Sequence, residues 1–344
     1  MSLPRVLVYK SSHARVGAEI TGADCAVMDE GGAITLHGET LTPEDAALDA
    51  AWINFDVFGS PASRAFFGAI MTSPTIRWAH TAAAGLDHPM FAKLVEKGVT
   101  LSTTHVQSLG IAEFVIWSVL DVLQRGPEQR KRQAERRWDR IRNREVAQTT
   151  WLIVGFGAIG QDIAKRARAF GARIVGVRRS AGSHPLADTM ISDWRQGLAE
   201  ADVVVLSLPL TPATKNMADA SAFAAMKPGS ILVNVARGGL VNEPDLLAAL
   251  DQGRPQHAVL DVFVQEPLPA DSPFWTHPNV MVSPHDSPST EGYARRADEW
   301  FLGNLQLFLA GKPVRDVVNS AEVIAGATPN PAANRLIPEA TQTK

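Results

Sequence analysis

Arg237, Glu266 and His285 are the residues of this 344-residue chain whose types and placement best suit chemistry. An arginine fork matches a carboxylate and stays charged at any working pH. An imidazole titrates near neutrality and can hand a proton to an oxygen. A carboxylate beside it orients the ring and raises its pKa. Together they suit proton delivery to the carbonyl oxygen of a 2-keto acid whose carboxylate an arginine holds. Each alone has a plainer reading. A strand-end arginine is often a surface charge, Glu266-Pro267 could be only a turn, and His285 after Pro284 could be a loop histidine. His80 and His88 are expected to be structural.

Reducing a carbonyl also needs a hydride, and Thr150 to Ser180 offers a place for its donor. An apolar run leads into Gly155-Phe156-Gly157-Ala158-Ile159-Gly160, a helical pattern follows, and a second apolar run stops at Val177. Strand, G-x-G-x-x-G turn, helix and strand form a dinucleotide-binding unit. Gly155 permits the bend, Gly157 lets backbone approach a pyrophosphate, and Gly160 lets helix pack on strand. The helix start at Ala158 and Ile159 offers N–H groups to phosphate. A carboxylate about 20 residues on would hold the adenine ribose. Here Arg178, Arg179 and Ser180 stand instead, and no acid occurs between Asp162 and Asp188. A guanidinium pairs with a 2′-phosphate that a carboxylate would repel. NADP(H) is therefore expected, with NAD(H) still possible.

These residues need elements to position them. From Thr150 the chain alternates strand and helix patterns. The strand candidates are Trp151–Val154, Arg173–Val177, Val203–Leu208, Ser230–Val235, Ala258–Phe263 and Val280–Ser283. They predict a doubly wound parallel sheet in the order 3-2-1-4-5-6. Ligands in such sheets lie outside the carboxyl ends of the strands. Those ends carry the glycine turn, Arg178, Leu208-Pro209, Arg237, Asp261 with Glu266, and His285. Before this region, Arg5–Tyr9 and Val99–Leu101 read as strands and Ile111–Leu123 as a buried helix. Arg125 to Glu145 holds nine Lys/Arg and four Asp/Glu. It reads as a solvated or subunit-contacting helix, the other reading being a nucleic-acid patch. A long helix is expected from Ser289 to Leu309, and a loosely held arm from Ala325 to Lys344.

Bulk properties narrow the class. Hydrophobic residues make up 45% and charged residues 20%, with a net charge of −3. That balance gives no general attraction to nucleic acid or anionic membrane. The lone Cys25 excludes an intrachain disulfide and suggests a reducing, cytoplasmic setting. No signal peptide or membrane span is read from the sequence, and no metal site is expected.

Asn234 to Glu243 (NVARGGLVNE), Leu260-Asp261-Val262-Phe263 with Glu266-Pro267, and Ser283-Pro284-His285-Asp286-Ser287 resemble the D-2-hydroxyacid dehydrogenase family. Leu206 to Pro212 (LSLPLTP) resembles the family's loop after the third strand, and Ala83 to Asp87 its carboxylate-binding loop. The resemblance implies two Rossmann-like α/β domains. A nucleotide-binding domain, 113–293, is inserted in a flavodoxin-like substrate domain, 1–112 with 294–344, which the C-terminal helix completes. It implies that Arg237 binds substrate, His285 is the acid/base and Glu266 its partner. Asp261 would contact the nicotinamide carboxamide, with Leu208, Pro209, Val235, Ala236 and Ser287 also at the cofactor, and Ala84 and Gly85 at the substrate. A homodimer is implied.

Two departures stand out: Ala83 replaces a usual glycine, and Asp286 replaces a usual apolar residue and adds charge near the site. The arginines after the second strand resemble the NADPH-preferring glyoxylate/hydroxypyruvate reductases. The expected reaction is reduction of a small 2-keto acid to the D-2-hydroxy acid. The other readings are an NAD(H)-dependent dehydrogenase of another hydroxy acid and a dinucleotide-sensing, corepressor-like interaction protein.

Overall fold

The computed structural model describes residues 2–83, 85–180 and 182–326. Two compact units emerge: one runs to Val106 and resumes at Glu291, and the other spans Gln107–Thr290. The boundaries at 112/113 and 293/294 expected from sequence fall inside helices Ser108–Leu123 and Tyr293–Leu309. A helix buries one continuous apolar face, so each helix stays whole within one unit.

The first unit is built on strands β1 (Arg5–Tyr9), β2 (Asp24–Met28), β3 (Ile34–Leu36), β4 (Glu39–Leu41), β5 (Ala50–Ile53), β6 (Trp78–Thr81) and β7 (Thr100–Ser102). They lie in the order β4-β3-β2-β1-β5-β6-β7. Without the antiparallel edge hairpin β3–β4, five parallel strands remain in the flavodoxin-like order. Helix Tyr293–Leu309 packs Ala297, Phe301 and Leu305 against Val6, Val8, Trp52 and Trp78. The chain thus returns after the inserted unit to complete the core. Asp298 on this helix is buried and accepts from Trp52 Nε1 at 3.0 Å and Arg15 Nε at 2.6 Å. His80 stacks on Trp52 and shares a 2.7 Å hydrogen bond with Ser102. Burial pushes its pKa down to about 3, so this histidine is a neutral core group.

The second unit has seven parallel strands: β8 (Thr150–Val154), β9 (Arg173–Val177), β10 (Thr189–Ile191), β11 (Val203–Leu206), β12 (Ile231–Asn234), β13 (His257–Leu260) and β14 (Val280–Val282). Their order is β10-β9-β8-β11-β12-β13-β14. This corrects the order expected from sequence. The Val203 strand pairs with β8, not with β9, and the outer neighbour of β9 is the short β10. One exposed and two half-buried edge residues after the Gly182-Ser183-His184-Pro185 loop give little periodicity to read.

Both faces of this sheet are covered, which explains its unbroken apolar runs. Trp151 and Ile153 face helices Ser108–Leu123 and Ala158–Ala169; Leu152 and Val154 face Ala220–Ala225 and Glu243–Asp251. Each fully buried Val, Leu or Ile contributes roughly 1.5–3 kcal/mol of transfer free energy. Among the described residues no helix is long and apolar enough to cross a membrane.

Gly155, at the start of the turn after β8, tolerates no side chain. Gly155 has φ +99°, and a Cβ there would lie 2.4 Å from the Ser207 carbonyl oxygen. Gly155→Ala is expected to lower the urea midpoint by the equivalent of about 1–3 kcal/mol. An unchanged midpoint would contradict this account of the turn.

Candidate active site

The carboxyl ends of β8, β9, β11, β12, β13 and β14 lie along one edge of the second sheet, because all its strands are parallel. At β12 the buried Asn234 shapes the loop that carries Arg237. Its Oδ1 accepts from Ala236 N at 3.1 Å and its Nδ2 donates to the Arg237 carbonyl at 2.9 Å. Gly238 follows, where a Cβ would sit 1.9 Å from the Phe263 carbonyl carbon. Only a bare backbone lets the arginine loop pack on the loop that carries Glu266. Arg237 is half-buried, and its Nη1 donates to Ala236 O at 2.7 Å.

Glu266 joins the three expected residues. Its Oε1 accepts from Phe263 N at 2.9 Å, and its Oε2 lies 2.8 Å from His285 Nδ1. Burial pushes the Glu266 carboxyl up, but the His285 hydrogen bond and charge, the Phe263 amide and the Arg237 charge outweigh it. The group is held below the ordinary glutamate value. An ionised Glu266 fixes the proton on Nδ1 and leaves Nε2 as the nitrogen that exchanges a proton with a ligand.

His285 stands in the left-handed region, with φ +57°. That conformation is costly for a residue with a side chain and persists only where its surroundings fix it. Asp261, at the end of β13 and 1% exposed, supplies the restraint. Its Oδ1 accepts from Ser283 Oγ at 2.6 Å, Asp286 N at 3.1 Å and Ser287 N at 3.2 Å. Its Oδ2 accepts from Ser287 Oγ at 2.5 Å. The loop is pinned on both sides of the histidine. Asp286 also turns toward this loop, its Oδ1 2.7 Å from Ser283 Oγ, so two carboxylates share one hydroxyl proton.

The glycine turn fits a dinucleotide. A side chain added at Gly157 would meet nothing within 4 Å, and no side chain caps helix Ala158–Ala169. Its open N-terminus at Ala158 and Ile159 suits a pyrophosphate. Val177 O ties this turn to β9 through the Gly155 and Phe156 amides, at 3.1 and 3.0 Å. Arg178 is half-buried and donates from Nε to Ser180 O at 3.1 Å; Arg179 and Ser180 are exposed. Ser207 reaches Gly155 O at 2.9 Å, which sets Leu208 and Pro209 beside the turn. Val235, Ala236 and Ser287 are buried at the same strand-end edge.

Residues 116–287 match the family model "D-isomer specific 2-hydroxyacid dehydrogenase, NAD binding domain". Glyoxylate/hydroxypyruvate reductase B of Citrobacter koseri is 35% identical over 256 residues, 72% of this chain and 79% of that protein. The chain belongs to the D-isomer specific 2-hydroxyacid dehydrogenase family. D-3-phosphoglycerate dehydrogenase of Methanocaldococcus jannaschii is 32% identical over 253 residues, 70% of this chain. The chain spans about half the length of that relative, 47%. Among solved structures, a family member from Xanthobacter autotrophicus in complex with NADPH and MES has a TM-score of 0.76 at 26% identity, covering 94% of this chain and all of that one. An NADPH-dependent glyoxylate/hydroxypyruvate reductase from Sinorhizobium meliloti, solved with NADP and sulfate, has a TM-score of 0.74 at 25% identity, with 94% and 100% covered.

Gly85 lies in the loop after β6, in the first unit, and is half-exposed. Ala84 lies outside the described residues. Sequence reasoning missed the service that Asp261, Ser283 and Asn234 give to the loops. A buried Asp followed about 20 residues on by Ser-Pro-His-Asp-Ser is the signal that could have suggested the first two.

The lowered Glu266 value fixes a pH dependence. Its stabilisation is fully present above the ordinary glutamate pKa of about 4.3 and is lost as pH falls through the lowered folded value. Wild type should therefore exceed Glu266→Gln in urea midpoint at pH 6, and the gap should close toward pH 3. A gap that stays constant across this range would show that the carboxylate is not coupled to its partners.

Proposed function

We propose that the chain is a reductase that uses NADPH to convert a small 2-keto acid, glyoxylate or hydroxypyruvate, to the D-2-hydroxy acid. The observation that carries this reading is the Glu266–His285 pair, 2.8 Å apart, electrostatically coupled to Arg237 on the sheet edge that also carries the glycine turn. NADPH, when bound, supplies the hydride for the carbonyl carbon. The guanidinium of Arg237 holds the substrate carboxylate and polarises the carbonyl oxygen. His285 Nε2 gives its proton to that oxygen as the carbon is reduced. Glu266 keeps the ring oriented, with Nε2 directed to the substrate oxygen. After product leaves, Nε2 takes a proton from water.

Arg178 and Arg179, where a ribose-binding acid would stand, support NADPH over NADH. The structural relatives solved with NADPH or NADP point the same way. The exposed Trp117 and Trp138, 55% and 99%, support a homodimer through the Arg125–Glu145 region. Several cations of that region are paired with nearby acids, as in Arg130–Asp121 at 2.8 Å, Arg137–Glu135 at 3.2 Å and Arg144–Asp202 at 2.8 Å, which disfavours a nucleic-acid patch.

Three measurements test this reading. Purified protein screened with NADPH and NADH against glyoxylate, hydroxypyruvate, pyruvate, phenylpyruvate and branched keto acids should turn over the first two fastest. In that assay His285→Ala should lose roughly 10²- to 10⁴-fold in kcat while NADPH still quenches protein fluorescence. Near-normal turnover by that variant would end the proposed mechanism, and no turnover with any acid would favour a dinucleotide-sensing role. The double variant Arg178→Asp, Arg179→Ala should shift the NADPH/NADH ratio of kcat/KM toward NADH by about tenfold or more. An unchanged ratio would remove the arginines from the cofactor assignment.

A further inference from the structure

We infer that His184 is a third element of the 2′-phosphate site, donating from Nε2 to the phosphate beside Arg178; this rests on the NADPH reading above. No acid–base role uses this histidine, yet the fold builds it into the cofactor end of the sheet. Its ring lies edge-on to Phe156, with centroids 5.1 Å apart and planes at 78°. Phe156 is the residue between Gly155 and Gly157 and is 3% exposed. Its ring covers Gly176 of β9, where a Cβ would lie 2.8 Å from Phe156 Cδ2. The imidazole is thus anchored to the glycine turn and to the strand that ends in Arg178.

The tautomer follows from one hydrogen bond. Leu186 N donates to His184 Nδ1 at 3.2 Å. Nδ1 is therefore an acceptor, and the proton of the neutral ring sits on Nε2. His184 is partly exposed, so Nε2–H can reach a ligand. The Arg178 guanidinium leans over the same loop. A Cβ at Gly182, two residues before the histidine, would lie 3.6 Å from Arg178 Nη2. A guanidinium and an N–H donor then border one segment just past the end of β9, where an adenosine ribose lies in a doubly wound sheet. A dianionic 2′-phosphate takes several such donors, and a ribose hydroxyl takes fewer.

Titration calorimetry with 2′,5′-ADP and with 5′-AMP separates this role from turn capping. Asparagine at 184 keeps an acceptor for Leu186 N and removes the distal donor; glutamine offers an N–H at about the reach of Nε2. Wild type should bind 2′,5′-ADP much more tightly than 5′-AMP. His184→Asn should weaken 2′,5′-ADP roughly tenfold and leave 5′-AMP unchanged, and His184→Gln should stay within about threefold of wild type. The inference is overturned if His184→Asn binds 2′,5′-ADP as wild type does, if it weakens both ligands equally, or if His184→Gln loses as much as His184→Asn. In each of those cases a strong wild-type preference for 2′,5′-ADP leaves the NADPH reading standing. A wild type that binds both ligands equally overturns the two together.

Discussion

The strand-end loop that carries His285 depends on burying the Asp261 carboxylate. A charged group withdrawn from water is costly unless its lone pairs are met by donors. Here the donors come from one short loop: the hydroxyls of Ser283 and Ser287 and the amides of Asp286 and Ser287. The requirement is reciprocal. The carboxylate is tolerated because the loop wraps it, and the loop keeps its shape because the carboxylate is there. His285 sits inside that wrap with φ +57°, so its position is set by a group it does not touch. Hydrogen bonds to a buried charge are worth about 1.5–3 kcal/mol each, enough to hold one strained residue.

The same economy runs along the whole strand-end edge. Asn234 closes the arginine loop with two short hydrogen bonds, and Gly238 lets that loop lie on the backbone after β13. Glu266 is tied at one oxygen to Phe263 N and at the other to His285. Arg237, Glu266 and His285 therefore come from three successive strand ends; the first two loops meet at the backbone of Gly238 and Phe263, and the third is held through the Asp261 carboxylate. Their mutual geometry follows from strand spacing and loop contacts, with little left to side-chain chance.

Much of this was legible in the sequence. Continuous apolar runs marked the strands because both sheet faces are covered, and the glycine turn was readable because its context was strand and helix. The rule that ligands lie beyond strand carboxyl ends then picked out Arg237, Glu266 and His285 from many charged residues. What escaped had physical causes. Strand β10 is three residues long and half-exposed, so no pattern marked it, and its omission displaced the Val203 strand to the wrong side of β8. The unit boundaries were set a few residues inside two helices because apolar periodicity tells where a helix is and not which core it joins. The service of Asp261 to its loop escaped because an acid at a strand end looks the same in sequence whether or not a loop wraps it. Only the four donors around it show which partners it has. His184 was invisible for a similar reason: its meaning lies in Leu186 N and Phe156, neither of which a spacing rule connects to a phosphate.

The Glu266–His285 pair is better understood as an orienting device than as a source of stability. His285 is 41% exposed and Glu266 27%, and ion pairs this open to solvent contribute little net free energy. A pair kept for stability would be expected deeper, where its charges are less screened. In the proposed acid/base role the imidazole must stay reachable by substrate and water, which requires its exposure. The fold meets both demands by leaving the ring open and burying the groups that aim it. Asp261 fixes the backbone of the loop, and Phe263 N with Arg237 holds Glu266 ionised, so Nδ1 stays occupied. Stability is thus invested one layer behind the imidazole, and the ring itself stays open to solvent.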